Sequence, residues 1–317
     1  MNIVNLDGYT TNPGDQSWEW LSKYGDYVVY DRTNQNEVID RAKDAEILIV
    51  NKTIITAEML ENMPKLKMIA LQSTGFNVID CEAARKKNIV VSNIPAYSTN
   101  AVAQLVFSFI LEFTNRVALH NDAVHNGEWC SCPDFCFWKT PLSELDGKTI
   151  GIIGFGSIGQ RVAEIANAFN MNVLVYTPHP KPELFNNVKF TDKQTLFKES
   201  DFITCHCPLT PETNGMINSE SLKMMKKSAI LINTSRGPVV DDNALANALN
   251  KGEISGAGLD VLTVEPPSSD NRLLSAKNCI ITPHIAWASY ETRVRLLNIL
   301  EDNIKAVVEG HPQNVVN

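Results

Sequence analysis

Short apolar runs rich in β-branched residues recur through the first hundred positions, at residues 3–6, 27–30, 47–50, 68–71 and 89–91. Polar stretches of helix length, such as 36–44 and 80–87, separate them. Buried parallel strands read as continuous apolar runs, so strand–helix alternation of this kind predicts a parallel sheet covered on both faces. A longer pattern follows over 99–120. Val102, Leu105, Val106, Phe109, Ile110 and Phe113 recur there at helical spacing, with Ser98 or Thr99 placed to cap the start.

The alternation then resumes. Residues 149–153 form a strand, 160–170 a helix, and further strands are predicted at 172–176, 202–205, 229–233, 256–260 and 279–282. A closing helix over 290–309 ends at Gly310-His311-Pro312. Two α/β units are therefore expected, joined by the long helix, with the last helix returning to the first unit. The boundaries place 1–98 plus 289–317 in one domain and 99–288 in the other. A chain that crosses twice between domains is expected to leave a ligand-binding cleft between them.

Composition narrows the classes. Across 317 residues, 44% hydrophobic and 20% charged is the balance of a globular protein. With 28 Lys and Arg against 36 Asp and Glu, the net charge is −8, and no basic cluster marks a nucleic-acid partner. Lys223, Lys226 and Lys227 read as the solvated face of a short helix. The opening residues lack a basic, apolar leader pattern, and 101–111 is too short and too polar to span a bilayer. A cytoplasmic protein with no membrane partner is expected. Its seven cysteines are expected to be reduced. Cys130, Cys132 and Cys136 have no second Cys/His pair at zinc-like spacing, so no metal site is expected. The surrounding Trp129, Phe135, Phe137 and Trp138 suggest a loop packed by aromatics. Cys205 and Cys207 read as small buried residues along a strand.

The most informative stretch is Gly154-Phe155-Gly156-Ser157-Ile158-Gly159, between a strand and an amphipathic helix. In that context Gly154 permits a tight turn, Gly156 lets the backbone approach a pyrophosphate, and Gly159 allows close helix–strand packing. The helix N-terminus then meets the phosphates with free N–H groups. A carboxylate about 20 residues onward usually binds the ribose 2′-hydroxyl. Here Thr177 occupies that place, and His179 and Lys181 follow it. Without an acid to repel a 2′-phosphate, the cofactor reads as NAD or NADP.

Three polar residues lie beyond later strands: Arg236, Glu265 and His284. Reduction of a 2-keto acid needs a hydride, a proton for the carbonyl oxygen, and a cation for the carboxylate. A guanidinium grips a carboxylate through two hydrogen bonds, which suits Arg236. An imidazole exchanges protons near neutrality, which suits His284, and Glu265 could fix its tautomer.

Five ordered segments carry a resemblance: Gly154 to Gly159, His206-Cys207-Pro208-Leu209-Thr210, Asn233-Thr234-Ser235-Arg236-Gly237, Asp260 to Pro266, and Pro283-His284-Ile285-Ala286. With Ser73-Thr74-Gly75-Phe76-Asn77 they resemble the D-isomer-specific 2-hydroxyacid dehydrogenase family. The resemblance implies two Rossmann-like domains, a flavodoxin-like substrate domain and a dinucleotide-binding domain, assembled as a homodimer. It implies catalytic roles for Arg236, Glu265 and His284, with Arg236 and His284 touching both cofactor and substrate. The backbone at Ser73, Thr74 and Gly75 would hold the substrate carboxylate. Cofactor contacts would fall on Gly154, Gly156, Ser157, Ile158, Gly159, Thr177, Cys207, Pro208, Thr234, Ser235 and Asp260. Phe135-Cys136-Phe137-Trp138 and Trp287 look most like the glycerate dehydrogenase, or hydroxypyruvate reductase, branch. Phosphoglycerate- or 2-ketogluconate-type dehydrogenases are alternatives, as is a nucleotide-sensing corepressor, a branch that shares Trp287.

Overall fold

The computed structural model describes residues 1–317, the side chain of Leu184 excepted. The chain divides into two units, Met1–Ser98 with Ala288–Asn317, and Thr99–Trp287. The first contains β1 (Asn2–Asn5), β2 (Asp26–Val29), α1 (Val38–Ala42), β3 (Ile47–Val50), α2 (Ala57–Glu61), β4 (Met68–Leu71), α3 (Cys81–Lys86) and β5 (Val90–Ser92). The second contains α4 (Thr99–Asn115), α5 (Val117–His125), β6 (Thr149–Ile153), α6 (Ser157–Ala168), β7 (Asn172–Tyr176), β8 (Lys189–Phe190), α7 (Lys193–Glu199) and β9 (Phe202–Cys205). It continues through α8 (Ser219–Met224), β10 (Ile230–Asn233), α9 (Asp242–Lys251), β11 (Gly256–Leu259) and β12 (Cys279–Ile281). The final helix, α10 (Tyr290–Val308), belongs to the first unit.

Every strand pair is parallel. The first sheet runs β2-β1-β3-β4-β5, the flavodoxin-like order, and the second runs β12-β11-β10-β9-β6-β7-β8. In each, the strand order reverses beside the first strand of the unit, between β1 and β3 and between β6 and β9. Side chains alternate across the second sheet as the strand period requires. Ile150, Ile152, Ile230 and Ile232 enter the core under α4 and α6, whereas Ile153, Leu231, Ala257 and Leu259 enter the core on the opposite face. Strand β11 turns glycines toward α4. A Cβ on Gly258 would lie 2.6 Å from Phe109 Cγ, and one on Gly256 2.6 Å from Phe113 Cε1, so the two rings fill space that side chains would need.

Several expectations change. The helix over 99–120 breaks at Arg116, whose φ of 49° is left-handed, and α5 sets off at 52° to α4. No single helix is long and apolar enough to cross a membrane. The aromatic loop is not packed as an apolar cluster: Phe135 is 88% and Trp138 66% exposed, and Trp129 ties to the segment through Nε1–H donated to the Phe135 carbonyl at 3.0 Å and a carbonyl that accepts from Cys132 N at 3.1 Å. Lys226 and Lys227 lie past the end of α8, and Lys226 pairs with Asp201 at 2.8 Å. Cys207 lies two residues beyond β9, although it is buried as expected. Strand β8, two residues long, gave no periodic signal.

Candidate active site

The glycine turn is shaped by backbone contacts. Gly154 takes φ 91° and donates its N–H to the Tyr176 carbonyl at 2.9 Å. A Cβ there would come within 2.7 Å of the His206 carbonyl and the Cys207 nitrogen, so the turns after β6 and β9 approach closely at the strand-order reversal. Gly159, in the first turn of α6, would put a Cβ 2.3 Å from the Gly154 carbonyl oxygen. Gly156 caps α6 and has nothing within 4 Å of a Cβ. Two positions are thus closed by protein and the third is open, as a backbone cradle for a phosphate requires. Ser157 and Ile158 begin α6, and Thr177 immediately follows β7.

Polar atoms without protein partners lie beyond the neighbouring strands. Thr234 Oγ1 and His206 Nδ1 are shut from solvent and unpaired. His206 bonds Thr204 Oγ1 through Nε2 at 2.8 Å, and desolvation of its ring pulls its pKa down to about 3. Buried unpaired polar atoms are costly, and they fit a polar ligand at these strand ends. An open Gly156 with two orphaned side-chain atoms beyond β9 and β10 suits a dinucleotide. Burial raises the Cys207 thiol, and Pro208 follows it at the surface.

Asn233, the last residue of β10, shapes the next turn. Its Oδ1 accepts from Ser235 N at 3.0 Å and Ser235 Oγ at 2.8 Å, and its Nδ2 donates to the Arg236 carbonyl at 2.9 Å. Arg236 itself is exposed, with Nη1 donating to the Ser235 carbonyl at 2.8 Å. The turn abuts the loop bearing Glu265, since a Cβ on Gly237 would lie 1.9 Å from the Leu262 carbonyl oxygen. Asp242 tethers that loop, accepting from Thr263 Oγ1 and Asn271 Nδ2 at 3.0 Å each.

Glu265 is oriented at both oxygens. Oε1 accepts from Leu262 N at 3.1 Å, and Oε2 lies 2.6 Å from His284 Nδ1. A carboxylate at that distance holds the Nδ1–H tautomer and leaves Nε2 to face a reactant. Asp260 is 1% exposed, and its carboxylate accepts from Thr282 Oγ1, Ile285 N and Ala286 N. Burial raises its pKa, against the opposing pull of those hydrogen bonds and of nearby His284.

Of the residues singled out from sequence, Gly154–Gly159, Thr177, Cys207, Pro208, Thr234, Ser235, Arg236, Asp260, Glu265 and His284 lie in the second unit, beyond strands of one sheet. Glu265 and His284 are in direct contact. Ser73, Thr74 and Gly75 lie in the first unit, beyond β4, where Ser73 Oγ donates to the Gly75 carbonyl and Thr74 Oγ1 to the Ile94 carbonyl, both at 2.7 Å. Asn233, Asp242 and Thr282 had no assigned role. Asn233 is the only one with a sequence cue, an amide at a strand end before a Ser-Arg-Gly turn. Among the described residues no three His, Cys, Asp or Glu side chains gather into a metal site.

Residues 107–286 match the family described as D-isomer specific 2-hydroxyacid dehydrogenase, NAD binding domain. The chain belongs to this family. It is 47% identical over 321 residues to a hydroxypyruvate reductase of Blautia hydrogenotrophica, covering 100% of both chains. It is 42% identical to a glycerate dehydrogenase of Methylorubrum extorquens, covering 92% of each. Among solved structures, an acyclic imino acid reductase in complex with NADPH and D-Arg superposes with a TM-score of 0.86 at 35% identity, covering 100% of both chains. Family membership gives a 2-hydroxyacid dehydrogenase with a nicotinamide dinucleotide as cofactor class.

Proposed function

We propose that this dehydrogenase reversibly reduces a small 2-keto acid, hydroxypyruvate or glyoxylate, to D-glycerate or glycolate. The observation that carries the proposal is the 2.6 Å contact between Glu265 and His284 Nδ1, in a unit that also bears the dinucleotide turn. Gly154, Gly156, Ser157, Ile158, Gly159, Thr177, Thr234 and Ser235 would hold the dinucleotide. When bound, its nicotinamide ring supplies or accepts the hydride. Arg236 binds the substrate carboxylate and polarises the carbonyl, and the backbone at Ser73, Thr74 and Gly75 belongs to the same carboxylate-binding role. His284 donates a proton from Nε2 to the carbonyl oxygen, and Glu265 stabilises the imidazolium that precedes this transfer. The names of the two sequence relatives support this substrate class.

The cofactor is proposed to be NAD or NADP. Thr177 is half-buried and brings no negative charge, while His179 and Lys181 are exposed beyond it. The protein is further proposed to form homodimers through the apolar surface of α5 and the segment after it, where Val117, Trp129, Phe135 and Trp138 are all more than half exposed. Light scattering of the purified protein should give twice the chain mass, and a monomer would refute the dimer. The functional reading is tested by following nicotinamide absorbance, with NADH and NADPH, over hydroxypyruvate, glyoxylate, pyruvate and bulkier keto acids. No turnover with any pairing would defeat it.

A further inference from the structure

His284 has a backbone that an L-residue with a side chain seldom adopts. Its φ is 55°, in the left-handed region, and such a conformation persists only where the surroundings hold it. The holding centres on Asp260, with the Thr282 carbonyl sharing the His284 N–H at 2.9 Å. The Asp260 carbonyl accepts from His284 N at 2.8 Å. Its Oδ1 accepts from Ile285 N at 2.8 Å and Thr282 Oγ1 at 2.6 Å, and its Oδ2 accepts from Ala286 N at 2.9 Å. Three successive backbone N–H groups, starting at His284, therefore end on Asp260. A carboxylate has about four acceptor positions, and three are filled this way.

We infer that Asp260 is a positioning residue for His284, fixing the strained turn that aims the imidazole, beyond the cofactor contact implied by family resemblance. The inference rests on the proton-transfer role proposed above. Glu265 fixes the ring through Nδ1, and Asp260 fixes the main chain from which the ring extends. Both are needed to define one ring position, because either alone leaves a torsion free.

Asp260→Asn separates the roles. However the amide turns, its NH2 group faces a donor, either Ala286 N–H or the pair formed by Ile285 N–H and Thr282 Oγ1–H. In the full-length enzyme at saturating cofactor and substrate, kcat should fall on the order of 10- to 100-fold, as misplacement of a reacting group by about 1 Å does. The pH profile of kcat should also shift, while any rise in cofactor Kd reports the separate cofactor contact and does not enter the kcat measured at saturation. Thr282→Val removes one donor to the same carboxylate and preserves shape. It should lower kcat by roughly 3- to 10-fold with cofactor Kd unchanged, and it remains informative if Asp260→Asn does not fold. Loss of cofactor affinity with unchanged kcat in Asp260→Asn, or an unaltered kcat in Thr282→Val, would overturn the inference. His284→Ala run alongside keeps the two claims apart. If it turns over normally, the proton-transfer reading fails. If it is dead while the Asp260 and Thr282 variants keep full kcat, only the positioning claim fails.

Discussion

The two sheets reverse strand order in the same way, yet the space beyond each reversal is treated differently. In the first unit, between β1 and β3, it is filled by protein. The Asp7 carboxylate accepts from Asn51 N at 2.7 Å, Lys52 N at 2.6 Å, and Thr53 N and Oγ1 at 2.9 and 3.0 Å. Buried Gln72 ties in Asn5 at 3.1 Å and also bonds Thr11. In the second unit, between β6 and β9, glycines occupy the corresponding ground, one with open space before it, and His206 Nδ1 beyond β9 has no partner. Reversals of strand order create crevices at the carboxyl ends of strands. A crevice whose turn N–H groups are taken up by a carboxylate is built as a structural joint, even with Asn5 Nδ2 left unpaired in it, whereas one lined by glycines with open space is suited to a ligand.

Substitutions can break or sharpen that contrast. Gly159→Ala should have the largest effect, because a methyl 2.3 Å from the Gly154 carbonyl meets backbone that cannot yield. Destabilisation of about 3 kcal/mol or more is expected in denaturant titration, and a fully stable variant would show that the turn can relax. Gly156→Val should leave the melting temperature of the cofactor-free protein unchanged, since nothing lies within 4 Å. It should weaken cofactor binding by roughly 30-fold or more, about 2 kcal/mol, and unchanged affinity would mean the pyrophosphate lies elsewhere. Asp7→Asn should do the reverse. Losing charge-assisted bonds and setting an NH2 against backbone donors should cost about 2 kcal/mol in stability, with cofactor affinity retained. Weaker cofactor binding in that variant would erase the distinction between the two crevices.

The last effect is absent at neutral pH and grows only in acid. His206 has a folded pKa of about 3 against 6.5 for the free side chain. Below 6.5 the unfolded chain takes up a proton that the native state refuses, so stability present above that pH declines as pH falls toward 3. The slope is about 1.4 kcal/mol per pH unit. In His206→Gln the decline in melting temperature between pH 6.5 and 4.5 should flatten, and an identical slope would show that the native ring accepts the proton.

Much of this was legible in the order of residues. The glycine turn was readable because each glycine answers a distinct steric demand and the flanking strand and helix are strongly patterned. The pairing of Glu265 with His284 was readable because both lie just beyond strands of one sheet and a carboxylate suits the second ring nitrogen of an imidazole. The bend at Arg116 was not, since neither Gly nor Pro marks its left-handed backbone. Aromatic composition suggested a packed loop at 129–138, but composition cannot say whether rings face inward or outward, and here Trp129, Phe135 and Trp138 are more than half exposed. Asp7, and the hold of Asp260 on backbone beyond its implied cofactor contact, escaped notice for a shared reason. Each acts on backbone N–H groups of a different segment, and such partners leave no trace in side-chain spacing.

The tight abutment of Gly237 on the Leu262 carbonyl also bears on how such enzymes can be altered. Segments 233–242 and 260–271 interlock through that contact and through the Asp242 tether, so they behave as one cassette. Transplanting either alone from a relative would join mismatched halves. Moved together, they would carry Arg236 and Glu265 into a new scaffold with their mutual spacing intact.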